Sequence, residues 1–328
     1  MSDAFVLAHL SDVHLGPLPR FGRAHWNAKR ALGWVNWMRK RRSTHRPEII
    51  ARLLDDMAAQ SPAHLAVTGD LINIGLPEEY VAATRWLERF GSASHVSVVP
   101  GNHDIYTHLG SDPGVARWAA WMSNFDDAHP GTLSAPGSDW SMDSFPWVRR
   151  LGRVVLVGVN SAIPTRPFRA IGHVGEAQLQ RLEQILATLA TEPVTRIVLV
   201  HHPALPGQAA PAKALTDAAA LEDVLQRHGV ELVLHGHNHR RMLAFRQGPT
   251  GAIPFVGVPS GSATVAHRTE DLARYHLFRI TPGDRAAPIE LIARGLTEPN
   301  GPVVEIERRK LIADESLRHA TMAMARAS

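Results

Sequence analysis

With 328 residues, 45% hydrophobic and 20% charged, the chain is long enough to bury a sizeable core and has the composition of an ordinary globular protein. A formal charge of +4 is too small over that length to argue by itself for nucleic acid, and the lack of cysteine excludes a disulfide framework and thiolate metal sites. Met1-Ser2-Asp3 lack the basic start of a leader and no apolar run approaches the length of a membrane span, so the expected address is the cytoplasm.

Phe5 to Leu10 is a short apolar run that predicts a buried strand, and it ends in Ser11-Asp12-Val13-His14. Asp12 and His14 are two apart, so in an extended chain both side chains point to one side, as the grip on a single metal ion requires. A basic, aromatic stretch follows at about 20–46. Trp26, Ala31, Trp34, Val35 and Met38 recur there at helical spacing, beside Lys29, Arg30 and the run Arg39-Lys40-Arg41-Arg42. It has the character of an insertion between core elements. Pro47-Glu48 opens a helix running to about Gln60, with Pro at a favoured first-turn position.

Leu65 to Thr68 predicts the next strand, ending in Gly69-Asp70, and Pro77 to Phe90 a helix with Glu78 and Glu79 in its first turn. Val96 to Val99 is a third apolar run and leads into Pro100-Gly101-Asn102-His103-Asp104. There Gly101 permits a sharp turn, Asn102 and His103 offer an amide oxygen and an imidazole side by side, and Asp104 can orient the imidazole. Strand, helix, strand in sequence predicts parallel pairing.

Residues 106–146 predict a loop-rich region with one short helix around Val115 to Met122. Strands are expected at Val154 to Val159, Ile197 to Val200 and Leu232 to Leu234, and helices at Gly175 to Leu189 and Asp217 to His228. The strand at Ile197 runs into His201-His202-Pro203, and the strand at Leu232 into His235-Gly236-His237-Asn238-His239. Short β runs follow at Phe255 to Val258, Tyr275 to Ile280 and Ile289 to Ile292, and residues 307–328 are expected to form a surface helix and tail beyond a domain spanning 1–306.

Five apolar runs thus end in Asp12-x-His14, Gly69-Asp70, Asn102-His103-Asp104, His201 and His237-x-His239, and α/β sheets bind ligands beyond the carboxyl ends of their strands. In that order these blocks resemble the calcineurin-like metallophosphoesterase superfamily, whose pattern is D-x-H, GD, GNH followed by D or E, H, then GHxH. The resemblance spans residues 12–239 and implies an α/β sandwich of two mixed β-sheets flanked by α-helices. It also implies two metal ions, one held by Asp12, His14 and His239 and the other by Asn102, His201 and His237, with Asp70 bridging them. His103 acts on the substrate in that scheme, oriented by Asp104.

Oxygen and imidazole donors without thiolate suit Mn, Fe or Zn, and seven candidate ligands exceed the four of a structural zinc site. A water lowered in pKa by the two cations is expected to attack phosphorus in line as hydroxide, with His103 protonating the leaving oxygen or stabilising charge on it. His201 is preferred to His202 because it comes first after the strand, and His235 is expected to support the site from behind. Tyr106, His108, Arg166, Arg169 and His173 are loop residues within reach of a substrate.

The GNHD and His-His-Pro blocks most resemble the bacterial cyclic-nucleotide and glycerophosphodiester phosphodiesterase branch, which implies a small-molecule diester. The basic insertion departs from compact members of that branch. It raises the alternative of a phospholipid or lipid-nucleotide diester met at an anionic membrane surface. A nuclease predicts strongly salt-dependent DNA binding, and a non-catalytic metal-binding module would usually have lost a ligand or His103, whereas all eight positions are filled.

Overall fold

The computed structural model describes residues 4–22, 25–107, 112–128, 140–266 and 270–312. In chain order the elements of the first half are β1 (Phe5–Leu10), α1 (Ala28–Asn36), a π-turn (Trp37–Arg41), α2 (Arg42–Thr44), α3 (Pro47–Ala59), β2 (His64–Val67), α4 (Pro77–Phe90), β3 (Val96–Val98), a 3₁₀ segment (Gly114–Met122) and β4 (Phe125–Asp126). They continue with β5 (Trp147–Leu151), β6 (Val154–Gly158), α5 (Glu176–Ala190), β7 (Thr195–Leu199), α6 (Ala218–His228), β8 (Leu232–His235), β9 (Met242–Gly248), β10 (Gly251–Gly257), β11 (Arg274–Ile280), β12 (Glu290–Leu296) and β13 (Val303–Lys310).

These strands form two mixed sheets, ordered β13-β12-β11-β1-β2-β3 and β4-β5-β6-β7-β8-β10-β9. Side chains alternate along β6: Val154 and Leu156 join the core between the sheets, whereas Val155 and Val157 pack under Leu182, Leu186, Leu221 and Leu225 of α5 and α6. Helices α3 and α4 add Ile50, Leu53, Tyr80 and Leu87 to the first core. The expected α/β sandwich is therefore present. Because β1, β2 and β3 run parallel in one sheet and β6, β7 and β8 in the other, the loops after β1, β2, β3, β7 and β8 can meet at one edge of the sandwich.

Four strands escaped the sequence reading. In β5 Arg149 and Arg150 interrupt the apolar pattern, yet Arg149 is buried because its guanidinium donates to the carbonyls of Ala93, Val96 and Ala120. Strand β4 has only two residues, β9 is half-exposed, and β13 mixes Glu305, Glu307, Arg308 and Arg309 along the outer strand of its sheet. Residues 307–310, expected to begin a helix, are thus the end of β13, paired with β12; the remainder of the expected tail, 313–328, lies outside the described residues. Among the described residues no helix is long and apolar enough to cross a membrane.

Candidate metal centre

The loops after the parallel strands turn abruptly, and the backbone shows it. Among the described residues eight non-glycine residues have a positive φ, and five of them are expected donors: Asp12 (53°), His14 (44°), Asp70 (55°), His237 (70°) and His239 (54°). Left-handed backbone costs a non-glycine residue of order 1–3 kcal/mol and persists where the surroundings enforce it, so its concentration here marks a functional site. Gly69 and Gly101 let two of these loops touch, since a Cβ on Gly101 would collide with the carboxylate of Asp70.

Two buried carboxylates hold the loop that carries Asp70. Asp104 accepts from the backbone N–H groups of Gly101 (2.8 Å), Asp70 (2.7 Å), Leu71 (2.9 Å) and Ile72 (3.2 Å), and Glu79 from those of Asn73 (2.8 Å), Ile74 (3.2 Å) and Leu76 (2.9 Å). Asp104 was expected to orient His103, and that expectation is corrected: its oxygens are occupied by backbone donors. The acceptor for His103 Nδ1 is the carbonyl of Asn73. Burial and the nearby Asp70 push Asp104 up to about 7, while the backbone donors favour its charged form.

The expected ligands converge. Asp70 Oδ2 lies 3.8 Å from His14 Nε2 and Asp70 Oδ1 lies 3.5 Å from His201 Nε2, so its two oxygens face the two halves of the site. In one half, His239 Nε2 is 3.2 Å from Asp12 Oδ1 and 3.4 Å from His14 Nε2. In the other, His201 Nε2 is 3.3 Å from Asn102 Oδ1 and 3.2 Å from His237 Nδ1.

The far side of each imidazole explains why these contacts are not ordinary hydrogen bonds. His14 Nδ1 meets the Ile72 carbonyl at 3.1 Å, His201 Nδ1 the Thr68 carbonyl at 2.6 Å, and His237 Nε2 the Lys213 carbonyl at 2.9 Å. A carbonyl only accepts, so each of those nitrogens carries the proton and the opposite nitrogen presents a lone pair inward. Inward lone pairs and carboxylate oxygens with few protons among them are what a cation requires. The donor set fits a dinuclear metal centre, in two groups whose ligand atoms lie within 4.8 Å of one another: Asp12, Asp70 and His201, and His14, His45 and His239.

The electrostatics divide the imidazoles: burial opposes charge on all of them, and on His201 it is outweighed by the carboxylates of Asp70 and Asp12, which raise its pKa. Burial pushes His14, His45 and His237 well below the usual imidazole range and so keeps them in the neutral, ligating form. Burial also opposes charge on His239, but Asp12 and Glu270 outweigh it and raise that imidazole to about 9.

His103 is stacked on Tyr106, with ring centroids 5.3 Å apart, and stands edge-on to His14 at 5.0 Å. Its Nε2 accepts from Arg41 Nη2 at 2.8 Å. Burial first, and then the Arg41 guanidinium, hold it well below the usual imidazole range. Arg41 and His45 were both missed as site residues, because a single His and one Arg in a basic run carry no motif. They line a cavity of about 190 Å³ together with Lys40, Lys213, Asp70, Asn102, His103 and His239. A larger groove, about 690 Å³, runs beside α3 and α4; it is lined mainly by apolar side chains such as Ile50, Leu54, Trp86 and Phe90 and holds none of the expected donors.

The other histidines sort by contact. His202 spends Nδ1 on Ser161 Oγ (2.8 Å) and Nε2 on the Ala170 carbonyl (3.2 Å), which leaves His201 as the inward-facing member of the pair. His235 is fully buried and its Nδ1 meets only the carbonyl of Gly236, at 3.3 Å. His173 contacts Thr216 and Asp217, neither Arg166 nor Arg169 lines the cavity, and His108 lies outside the described residues.

Comparison with known proteins gives the same answer as the geometry. The family model for calcineurin-like phosphoesterases matches residues 5–241. A cAMP/cGMP dual specificity phosphodiesterase of Mycobacterium tuberculosis is 26% identical over 277 residues, covering 82% of this chain and 69% of that protein. Among solved structures, a dimetal phosphatase from Danio rerio superposes with a TM-score of 0.54 at 13% identity, over 93% of this chain and 99% of its own. A purple acid phosphatase from yellow lupin (Lupinus luteus) seeds does so with 0.52 at 13%, over 94% of this chain and 54% of its own. At such identities the two structures speak for the fold alone. The family match takes in every donor block from Asp12 to His239, and on that ground the chain belongs to the calcineurin-like phosphoesterases and is a metal-dependent phosphoric ester hydrolase.

Proposed function

We propose that this hydrolase cleaves a small-molecule phosphodiester, such as a cyclic nucleotide or a glycerophosphodiester, at a centre of two metal ions. Asp12, His14 and His239 hold one ion, Asn102, His201 and His237 the other, and Asp70 bridges them. The observation that carries this is the position of Asp70, with one oxygen toward His14 and the other toward His201. Mn, Fe or Zn suits the donors. When bound, such a pair supplies Lewis-acid polarisation of the phosphoryl oxygens and a water made nucleophilic near neutral pH.

The chain supplies the rest. Arg41, Lys40 and Lys213 bring cationic side chains to the cavity and suit a substrate anion. Arg41 stabilises charge on the oxygen that leaves, and His103, whose Nδ1 proton is spent on the Asn73 carbonyl and whose ring stacks on Tyr106, accepts from Arg41 through Nε2 and holds that guanidinium in place. The curated relative named above is a cyclic-nucleotide phosphodiesterase, which supports a diester. With Mn added, hydrolysis of bis-p-nitrophenyl phosphate should exceed that of p-nitrophenyl phosphate by at least about tenfold. Cyclic AMP, glycerophosphocholine and phosphatidylcholine then separate the diester classes, and a preference for the monoester would overturn the proposal.

A second reading, a lipid diester met at an anionic membrane, has one specific support. The outer face of the insertion exposes Trp26, Leu32, Trp34, Val35 and Met38 beside Arg39, Lys40 and Arg42.

A further inference from the structure

The end of the basic insertion enters the donor cluster. His45 follows α2 directly and is 7% exposed; its ring centroid lies 4.7 Å from that of His14 and 5.5 Å from that of His239. One nitrogen from each of these rings fits within 4.8 Å of the others. None of the five strand-end blocks includes it, and no other donor arrives from a helical segment.

The position is built from both sides. His45 forms an antiparallel bridge with Ala263, flanked by Thr264 N–H donating to the Thr44 carbonyl at 2.8 Å and Arg46 N–H donating to the Ser262 carbonyl at 3.1 Å. The ring is fixed as well: Nδ1 lies 2.9 Å from Ser262 Oγ and 3.4 Å from Ser260 Oγ. Ser260 spends its proton on the Asp12 carbonyl at 2.6 Å, so toward His45 it accepts. With Nδ1 turned to this serine pair, Nε2 is the nitrogen of His45 left for the cluster, and a proton on Nδ1 gives it a lone pair there, as in His14 and His201. Ser260 also ties His45 to the backbone of Asp12. Just before α2 the chain passes through the π-turn Trp37–Arg41, a form that recurs at functional sites, and Arg41 on that turn is the residue that meets His103.

We propose that His45 is a further ligand of the ion held by Asp12, His14 and His239. This rests on the two-metal reading above. Three imidazoles converging in a buried site share no hydrogen bonds that satisfy them all, whereas a metal cation among them satisfies one lone pair of each. The insertion is then tethered to the centre through the metal, and one coordination position that would otherwise admit water is closed.

The test uses Co(II), whose visible bands report ligand number and type, with the parent protein, His45→Ala and Ser262→Ala. The parent should bind two ions. His45→Ala should lose at least about tenfold in affinity for one of them, keep the other, and change the visible bands of the weakened site. Ser262→Ala removes an outer contact and should retain the parental bands even where affinity falls. Parental affinity and bands in His45→Ala would overturn the proposal. A parent that binds a single Co(II) would instead overturn the two-metal reading, before His45 enters. If His45→Ala fails to fold by circular dichroism, His45→Gln, which keeps a polar partner for Ser262, takes its place under the same two outcomes.

Discussion

The Nε2 atoms of His14 and His239 face each other at 3.4 Å, while the opposite nitrogen of His14 is held by the Ile72 carbonyl at 3.1 Å and that of His239 stands 3.7 Å from Glu270. Two neutral imidazoles in this arrangement have no proton to share, so a proton or a metal ion has to lie between them and Asp12. Protons and metal therefore compete for the same place.

That competition sets a pH dependence. In protein stripped of metal, burial opposes charge on His239, but Asp12 and Glu270 raise its pKa from 6.5 to about 9. The folded state then keeps a proton that the unfolded chain gives up between those values. The stability contributed by this proton is complete below about pH 6.5 and is lost as pH rises through about 9. Metal loading runs the other way, with affinity rising toward pH 9 and roughly one proton or more released per ion taken into the Asp12 half near pH 7.5. Titration calorimetry in two buffers of different ionisation enthalpy measures the release. Heats independent of buffer would contradict it.

Asp70→Ala removes the carboxylate that faces both His14 and His201. Elemental analysis should find at least one ion missing, and hydrolysis of bis-p-nitrophenyl phosphate should fall at least about a hundredfold, because several kcal/mol of charge stabilisation leave with the ion. An active variant with parental metal content would show that Asp70 does not bridge.

His103→Ala and Asp104→Ala, adjacent in sequence, should fail in different ways. The His103 side chain contacts Arg41, Tyr106 and a single loop carbonyl, that of Asn73, and holds none of the N–H groups bound by Asp104 and Glu79, so its loss should leave both ions bound and slow turnover by about 10²–10⁴. Asp104→Ala strips the acceptor from four buried N–H groups around Asp70 and should cost on the order of 3 kcal/mol or more in urea unfolding, with metal lost as a consequence. An Asp104→Ala protein of parental stability with only a slower rate would restore the orienting role.

The difference between these two neighbours also shows how far the sequence could be read. Asp12, His14, Asp70, Asn102, His201, His237 and His239 stood out in the sequence as candidates because each lies just past an apolar run, and parallel strands deliver their ends to one edge. What Asp104 touches was not, since three of its four partners lie 32–34 residues back in the chain and depend on left-handed turns that no composition announces. His45 was illegible for the same reason: its partners are His14 and Ser262, the latter 217 residues away. The helices were legible throughout, whereas β5 and β13 were hidden by arginine and glutamate on strands that lie at or near a sheet edge.

The insertion divides its basic run between two tasks, and this decides how the membrane reading is tested. Arg41 turns inward onto His103, so replacing the whole run would damage the site and the surface together. Arg39, Lys40 and Arg42 remain exposed, next to Trp26 (64% exposed) and Trp34 (37%). Phe21 stacks on both tryptophans, at 5.3 and 6.3 Å, and so holds them ready as a rigid apolar face. Each basic residue at an anionic surface contributes roughly 1 kcal/mol, so Arg39 and Arg42 together change partitioning by about thirtyfold. Arg39→Ser and Arg42→Ser combined, with Arg41 and the cavity-lining Lys40 kept, should therefore weaken sedimentation with phosphatidylglycerol-containing vesicles by more than tenfold and lower activity on phospholipid. Hydrolysis of bis-p-nitrophenyl phosphate should stay within about twofold of the parent, because Lys40, Arg41, His103 and Lys213 are untouched. Equal vesicle binding by variant and parent would leave the exposed tryptophans as ordinary surface and favour the small soluble diester.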